Sequence, residues 1–374
     1  YRPDLSHSLE NEVAQRLLKN TKFKKKLESV LLGKAHAQTL GVSQSVLHYF
    51  IPWARKKWAK KPTVAVAYEL ALSFSIKDSR YLLYLCTERW CSNNRFDGGK
   101  VFDHLYTTYD LPKKSGGKRT VTVPDDRLKR LQRRLLWYGF EKQEVHAASH
   151  GFLRGRSILT NAEEHLGQPL VVNIDIESFF PNTGYSHILR VCSQLLNGEL
   201  SEGARRIVTD LCSYNGALPA GAPTSPAISN IVLKPVDEAV SKAATENDIV
   251  YTRYADDLTF SGKSNTPKIL PFVGRVLAQY GYRIEEKKTN LFRKGRRQIV
   301  TGLVVNEKPN LPRKIRRKLR AAIHVRSKDG IPHWHGKPMN DAQLVGRVSF
   351  LNLVQPEEAQ KYLDMLTNNN KSTH

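Results

Sequence analysis

The stretch Ile249-Val250-Tyr251-Thr252-Arg253-Tyr254-Ala255-Asp256-Asp257-Leu258-Thr259-Phe260 reads as two β-rich runs joined at a turn. β-branched and aromatic residues flank Asp256-Asp257, so the pattern predicts a hairpin with two adjacent carboxylates at its tip. A tip with that charge calls for a cation. About eighty residues upstream, the apolar run from Leu170 to Ile174 ends on Asp175, a third carboxylate at a strand end. Three Asp side chains converging from two strands could hold a pair of Mg²⁺ ions roughly 3.5–4 Å apart, the arrangement that clamps the attacking and leaving oxygens of a phosphoryl transfer. The plainer alternative is a turn pair and a strand terminator.

Composition points to the partner. The 374 residues carry 59 Lys and Arg against 35 Asp and Glu, a net charge of +24. That excess is far beyond what solubility needs and favours polyanions. The hydrophobic fraction of 40% supports a sizeable core and more than one domain. No run of eighteen apolar residues exists, and the start from Tyr1 to Glu10 is polar, so a soluble cytoplasmic protein with no membrane partner is the expectation. Cys86, Cys91, Cys192 and Cys212 lack metal-ligand spacing and read as reduced structural thiols. His333, Trp334 and His335 read as a surface loop.

Residues 1–100 read as a mainly helical extension, with Leu70, Leu72 and Phe74 apolar and Pro52 and Pro62 as interruptions. Its basic aromatic stretch from Trp53 to Lys61 suits either nucleic-acid stacking or a solvated helix face. From Val101 the texture becomes β-rich: Val101 to Tyr109, then Thr120 to Val123, with Ser115-Gly116-Gly117 as the turn. A basic helix from Arg127 to Tyr138 would bury Leu128, Leu131, Leu135 and Leu136. The central third alternates a strand at 170–175, helices near 184–196 and 202–213, a Pro/Gly loop at 218–226, a helix to about 246, the hairpin, a helix near 267–280 and a strand pair around 281–305. That order suits a sheet with helices packed on one face. Asn310-Leu311-Pro312 then opens a helix with Ile315, Leu319 and Ile323 inward and Arg313, Lys314, Arg316, Arg317, Lys318 and Arg320 largely outward. Residues 293–320 hold eleven Lys/Arg and one Glu, a charge run suited to gripping a duplex. The tail from Asn368 reads as disordered.

Taken together, these blocks resemble the ordered motif series of a reverse transcriptase over roughly residues 101–350. Two further strings resemble the retron branch: Asn161-Ala162-Glu163-Glu164-His165 matches its Asn-Ala-x-x-His motif, and Val300-Thr301-Gly302 its Val-Thr-Gly motif. The resemblance implies an α+β right-hand polymerase with an antiparallel palm sheet and a helical N-terminal extension. Its parts would be the extension at 1–100, fingers at 101–169, palm at 170–306 and a basic helical thumb at 307–374.

The same resemblance implies roles. Asp175, Asp256 and Asp257 match the ligands of two Mg²⁺ ions, with the backbone of Ile176 nearby. Phe180 matches the steric gate that excludes a ribonucleotide 2′-OH and so selects dNTPs, with Phe179 as competitor. Arg119, with Lys118 beside it, matches the fingers cation over the triphosphate. Ala220 and Gly221 lie in the block under the nascent base pair, where Ala220 replaces the Gln of many relatives. Lys288 or Lys287 would be the general acid toward pyrophosphate. Asn161 and His165 would contact RNA, as would Arg313, Arg316, Arg317 and Arg320. A retron enzyme would copy a structured non-coding RNA, primed from a guanosine 2′-OH, into branched msDNA. A toxic effector from the same locus, restrained within antiphage defence, would be a further partner. A nucleic-acid-bound scaffold, a group II intron-like enzyme and a diversity-generating enzyme are the alternatives.

Overall fold

The hairpin and the upstream strand meet in one antiparallel sheet. The computed structural model describes residues 3–31, 42, 46–47, 49–91, 99–112, 117–328 and 330–369. The chain divides into two units, residues 1–145 with 178–233 and residues 146–177 with 234–374. The expected Gly turn at 115–117 falls mostly outside the described residues, as does much of the tail.

The first unit is mainly helical. Pro52 and Pro62 sit in the first turns of the helices Ile51–Lys57 and Pro62–Ser73, where a missing N–H costs nothing. They therefore begin helices instead of interrupting them. Leu70, Leu72 and Phe74 are buried with Leu82 and Leu85 from the helix Ser79–Cys91. The buried Glu69 carboxylate accepts from Arg55, at 2.7 Å, and from the backbone N–H and hydroxyl of Ser201, each at 2.7 Å. Ser201 also caps the helix Glu202–Leu211, so the helices of the first hundred residues are tied to this later segment. Strands β1 (Tyr106–Pro112) and β2 (Lys118–Pro124) form an antiparallel hairpin. The first strand starts at Tyr106 and not at Val101, because Asp103–Leu105 forms a 3₁₀ turn. Helix Asp126–Tyr138 follows, N-capped by Asp125, with Leu128, Leu131 and Leu135 buried and Leu136 half-buried. Cys86, Cys192 and Cys212 are free and buried.

In the second unit the sheet order is β4 next to β5, then β3, then β6, all antiparallel, with β3 Leu170–Asp175, β4 Val250–Tyr254, β5 Asp257–Gly262 and β6 Asn290–Arg293. The expected strand pair around 281–305 is not formed as such. Residues 290–293 instead occupy the open edge of β3, and only the two-residue strands β7 (Ile299–Val300) and β8 (Leu303–Val304) pair with each other. The helix Arg313–Arg326 buries Leu319, Ala322 and Ile323 in a cluster that also takes in Val171, Val300, Leu303, Leu344 and Val348. Its Arg313, Lys314, Arg317 and Arg320 are exposed. Residues 333–338 form a small hairpin with the Arg347 guanidinium 3.9 Å above the Trp334 ring, so the expected loop has strand structure. No described helix is long and apolar enough to cross a membrane.

One buried ion pair underlies the hairpin. Arg253 is fully buried and donates to both carboxylate oxygens of Asp237, at 2.8 and 2.6 Å, and to the carbonyl of Ala255 at 3.1 Å. The Tyr251 hydroxyl donates to the same Asp237 at 2.7 Å. Removing one member of such a pair leaves the other charge buried and uncompensated. Asp237→Ala is therefore expected to lower the opening free energy of residues 250–262 by about 3–5 kcal/mol, read as faster amide hydrogen exchange in that hairpin. Unchanged protection there would contradict the role assigned to the pair.

Candidate active site

The register of the sheet sets Asp175, the last residue of β3, directly opposite Asp257, the first of β5. Asp256 lies in the two-residue turn between β4 and β5, beside Ala255 at φ 59°. A positive φ at this position is that of the primed turns, whose twist matches the strands they join. The turn is held closely from behind: a Cβ on Gly151 would lie 2.6 Å from the Ala255 nitrogen, so only glycine permits this approach. The Ile176 N–H donates to the Asp256 carbonyl at 3.0 Å, and the Glu285 N–H to the Asp175 carbonyl at 2.8 Å. Backbone bonds thus fix where the three carboxylates start.

Their electrostatics follow from crowding. The Asp257 carboxyl is pushed up to about 7, first by the surrounding protein and then by the negative charges of Asp256 and Asp175. The residue is nevertheless exposed, so the two neighbouring carboxylates are the firmer cause. Lys288 places its ammonium 2.7 Å from Asp175 Oδ1, and that hydrogen bond, against the opposing effect of burial and helped by the nearby carboxylate charges, raises its pKa. Lys287 shares the open cavity of 410 Å³ that Asp175, Asp257, Lys288, Thr301 and Gly302 also line, but Lys288 is the lysine that reaches the aspartates. Three carboxylates against one ammonium leave an excess of hard oxygen donors and negative charge, which is the chemistry a divalent cation such as Mg²⁺ takes. Among the described residues no three His, Cys, Asp or Glu side chains form a ready-made metal cage.

The other expected contacts of an incoming nucleotide belong to the first unit. Phe179 and Phe180 begin the short helix Phe179–Asn182 with their rings stacked 5.5 Å apart. Phe179 is core, and Phe180 is the half-buried one with surface to offer. Arg119 and Lys118 are exposed on β2, with Lys118 3.5 Å from the Asp110 carboxylate. Ala220 and Gly221 are half-buried. The Gly221 N–H donates to the Thr122 carbonyl at 2.9 Å, and a Cβ there would approach that oxygen to 2.5 Å.

Asn161 and His165 differ from expectation. Both are fully buried, so neither offers an edge to RNA. Helix Ile158–Glu163 starts with a capping box between Ser157 and Thr160, and His165 follows it. The His165 ring bonds Ser261 on β5 through Nδ1 at 2.6 Å and Thr252 on β4 through Nε2 at 2.8 Å. It pins together the two strands that the Asp256 turn joins. The Thr301 hydroxyl donates to the Ile158 carbonyl at 3.0 Å, which ties the Val300-Thr301-Gly302 string to the first residue of the helix that carries Asn161. A motif match names such residues without revealing burial. Inward Ser and Thr on alternate positions of β4 and β5 were the available signal. The Arg253–Asp237 pair joins residues sixteen positions apart with no pattern between them, and left none.

Residues 111–310, more than half of the chain, match the family model of the reverse transcriptase (RNA-dependent DNA polymerase). The chain belongs to that family. Among its relatives, the Retron Mx162 reverse transcriptase of Myxococcus xanthus is 39% identical over 297 residues, covering 70% of this chain and 60% of the relative. The Retron Mx65 reverse transcriptase of Myxococcus xanthus is 36% identical, covering 54% of this chain and 51% of the relative. For the Retron Ec86 reverse transcriptase of Escherichia coli the identity is 34%, covering 55% and 65%. The chain thus spans between about half and two thirds of the length of these relatives. Within this reverse transcriptase family member, the resemblance first seen in the two strings extends well beyond them.

Burial makes two histidines of the second unit acid-sensitive. His165 is pushed down to about 3, by burial and then by His150, and His150 to about 4, by burial and then by Arg156. Both are neutral when folded but titrate near 6.5 when unfolded, so the unfolded chain binds more protons below that value. The stabilisation is complete above pH about 6.5 and is lost as pH falls toward 4 and then 3. Urea unfolding midpoints should fall from pH 7 to pH 5, and His165→Gln should flatten part of that fall. An identical pH slope in the variant would remove His165 from this account.

Proposed function

We propose that this chain is the catalytic portion of a retron-type RNA-directed DNA polymerase, which copies part of a structured non-coding RNA from a guanosine 2′-OH into branched msDNA. The observation that carries the reading is the register pairing of Asp175 with Asp257, with Asp256 on the adjoining turn and the Lys288 ammonium on Asp175. In this reading residues 101–169 are fingers, 170–306 palm and 307–374 thumb, and 1–100 an extension. The relatives named above, all retron reverse transcriptases, support the substrate class. An effector protein held in check by the enzyme and its product, an antiphage role and a cytoplasmic setting belong to the same proposal.

Asp175, Asp256 and Asp257 would hold two Mg²⁺ ions, with the Ile176 backbone beside them. When bound, such ions acidify the primer hydroxyl and neutralise charge on the triphosphate. Lys288 is protonated at neutral pH and faces the carboxylate cluster, so it can give a proton to the departing pyrophosphate. Arg119, assisted by Lys118, would neutralise the phosphates. Phe180 would fill the space a ribonucleotide 2′-OH needs, and Gly221 with Ala220 would underlie the new base pair. Arg313, Arg317 and Arg320, exposed on one helix, suit phosphate contacts, while Arg316 also donates to Asn310 at 3.3 Å and Arg320 is also paired with Glu358 at 3.5 Å.

Primer extension on an RNA template tests the assignment. Asp256→Asn or Asp257→Asn should abolish DNA synthesis while RNA affinity stays within about twofold, because phosphate contacts elsewhere supply it. Synthesis at the unmodified level by either variant would sink the site. Phe180→Ala should admit ribonucleotides, read as alkali-labile product; an unchanged preference for dNTPs would move the gate elsewhere.

A further inference from the structure

The first unit holds a groove of 610 Å³ that has no part in the aspartate site. Its walls come from the helices Pro3–Lys19, Ile51–Lys57 and Pro62–Ser73 and from residues 196–200. Ile51 and Leu200 are buried and make its apolar part. Tyr49 and Trp53 line it and are half-buried, with the Lys57 ammonium 5.4 Å from the Trp53 ring centroid. The walls carry three basic side chains against one acidic, Glu199. Arg55 is engaged by Glu69 at 2.7 Å and by the Glu199 carbonyl at 2.5 Å. Lys19 and Lys56 are exposed, and neither forms an ion pair among the described residues.

Ser73 closes one wall of the groove at 8% exposure, with its hydroxyl oxygen itself shut off from the opening.

We propose that this groove binds a nucleotide segment of single-stranded nucleic acid. The combination of ring surface with unpaired cations is what stacking of a base and neutralisation of its phosphates require. An acidic peptide would use the lysines but leave the rings idle, and a duplex would hide the base faces that the rings address. The net charge of +24 favours the same class of partner. The inference stands apart from the polymerase reading, since no residue of the groove takes part in it.

The test is photo-crosslinking of the full chain to a single strand of about twelve nucleotides carrying 4-thiouridine, with adducts mapped by mass spectrometry. Adducts are expected on the peptide containing residues 49–58. The double variant Lys19→Glu/Lys56→Glu should cut their yield about tenfold and lower the salt slope of binding by about 1.4, the value for two lost single-strand phosphate contacts. Primer extension by that variant reports separately on the aspartate site and should be unchanged. Adducts absent from 49–58 in the unmodified chain, equal adducts in the variant, or a preference of this site for polyglutamate over the oligonucleotide would each overturn the proposal.

Discussion

Pairing β3 with β5 in register places two carboxylates face to face, with a third on the neighbouring turn. Like charges directly opposite each other in a sheet oppose the pairing that creates them. Three contacts in the second unit offset that repulsion. Backbone bonds from Ile176 and Glu285 fasten the strand ends, and Lys288 brings one compensating charge. The sheet holds its acidic edge because it is anchored elsewhere.

Two of those anchors are polar and buried, at places where leucines would be simpler. Arg253 bonds the turn carbonyl of Ala255 and the Asp237 carboxylate together, and His165 bridges hydroxyls on β4 and β5. Hydrogen bonds of fixed direction restrict the slide of one strand on the other, which apolar contacts resist only weakly. A slip of one residue would turn Asp257 to the opposite face. Directional anchors therefore serve the chemistry through position.

The hairpin, β3 and the charge at their ends were legible because strand alternation and Asp placement are local properties of 249–262 and 170–175. The helix from Arg313 was equally plain, since Ile315, Leu319 and Ile323 repeat at four-residue spacing and Pro312 opens it. Less legible was anything decided by distant partners. Asn290–Arg293 forms a strand only because the open edge of β3 accepts it. Lys288 differs from Lys287 through which one faces Asp175, and Phe180 differs from Phe179 through exposure. Asn161 and His165 were read as RNA contacts, yet tertiary packing buries both.

The interleaving of the two units has a kinetic side. The chain passes from one unit to the other between 145 and 146, between 177 and 178, and again between 233 and 234. Strand β3 is therefore made long before β5 and β6, which pair with its two edges. The first residues of β5 follow its end by about eighty positions, roughly 4–16 s at a translation rate of about 5–20 residues per second. Through that interval Leu170-Val171-Val172 has neither neighbour in the sheet, and an apolar strand with open edges is a template for foreign pairing. The newborn chain is thus most exposed to aggregation while the insertion at 178–233 is being synthesised, so the same topology that separates the aspartates in sequence sets the most hazardous moment of its biogenesis.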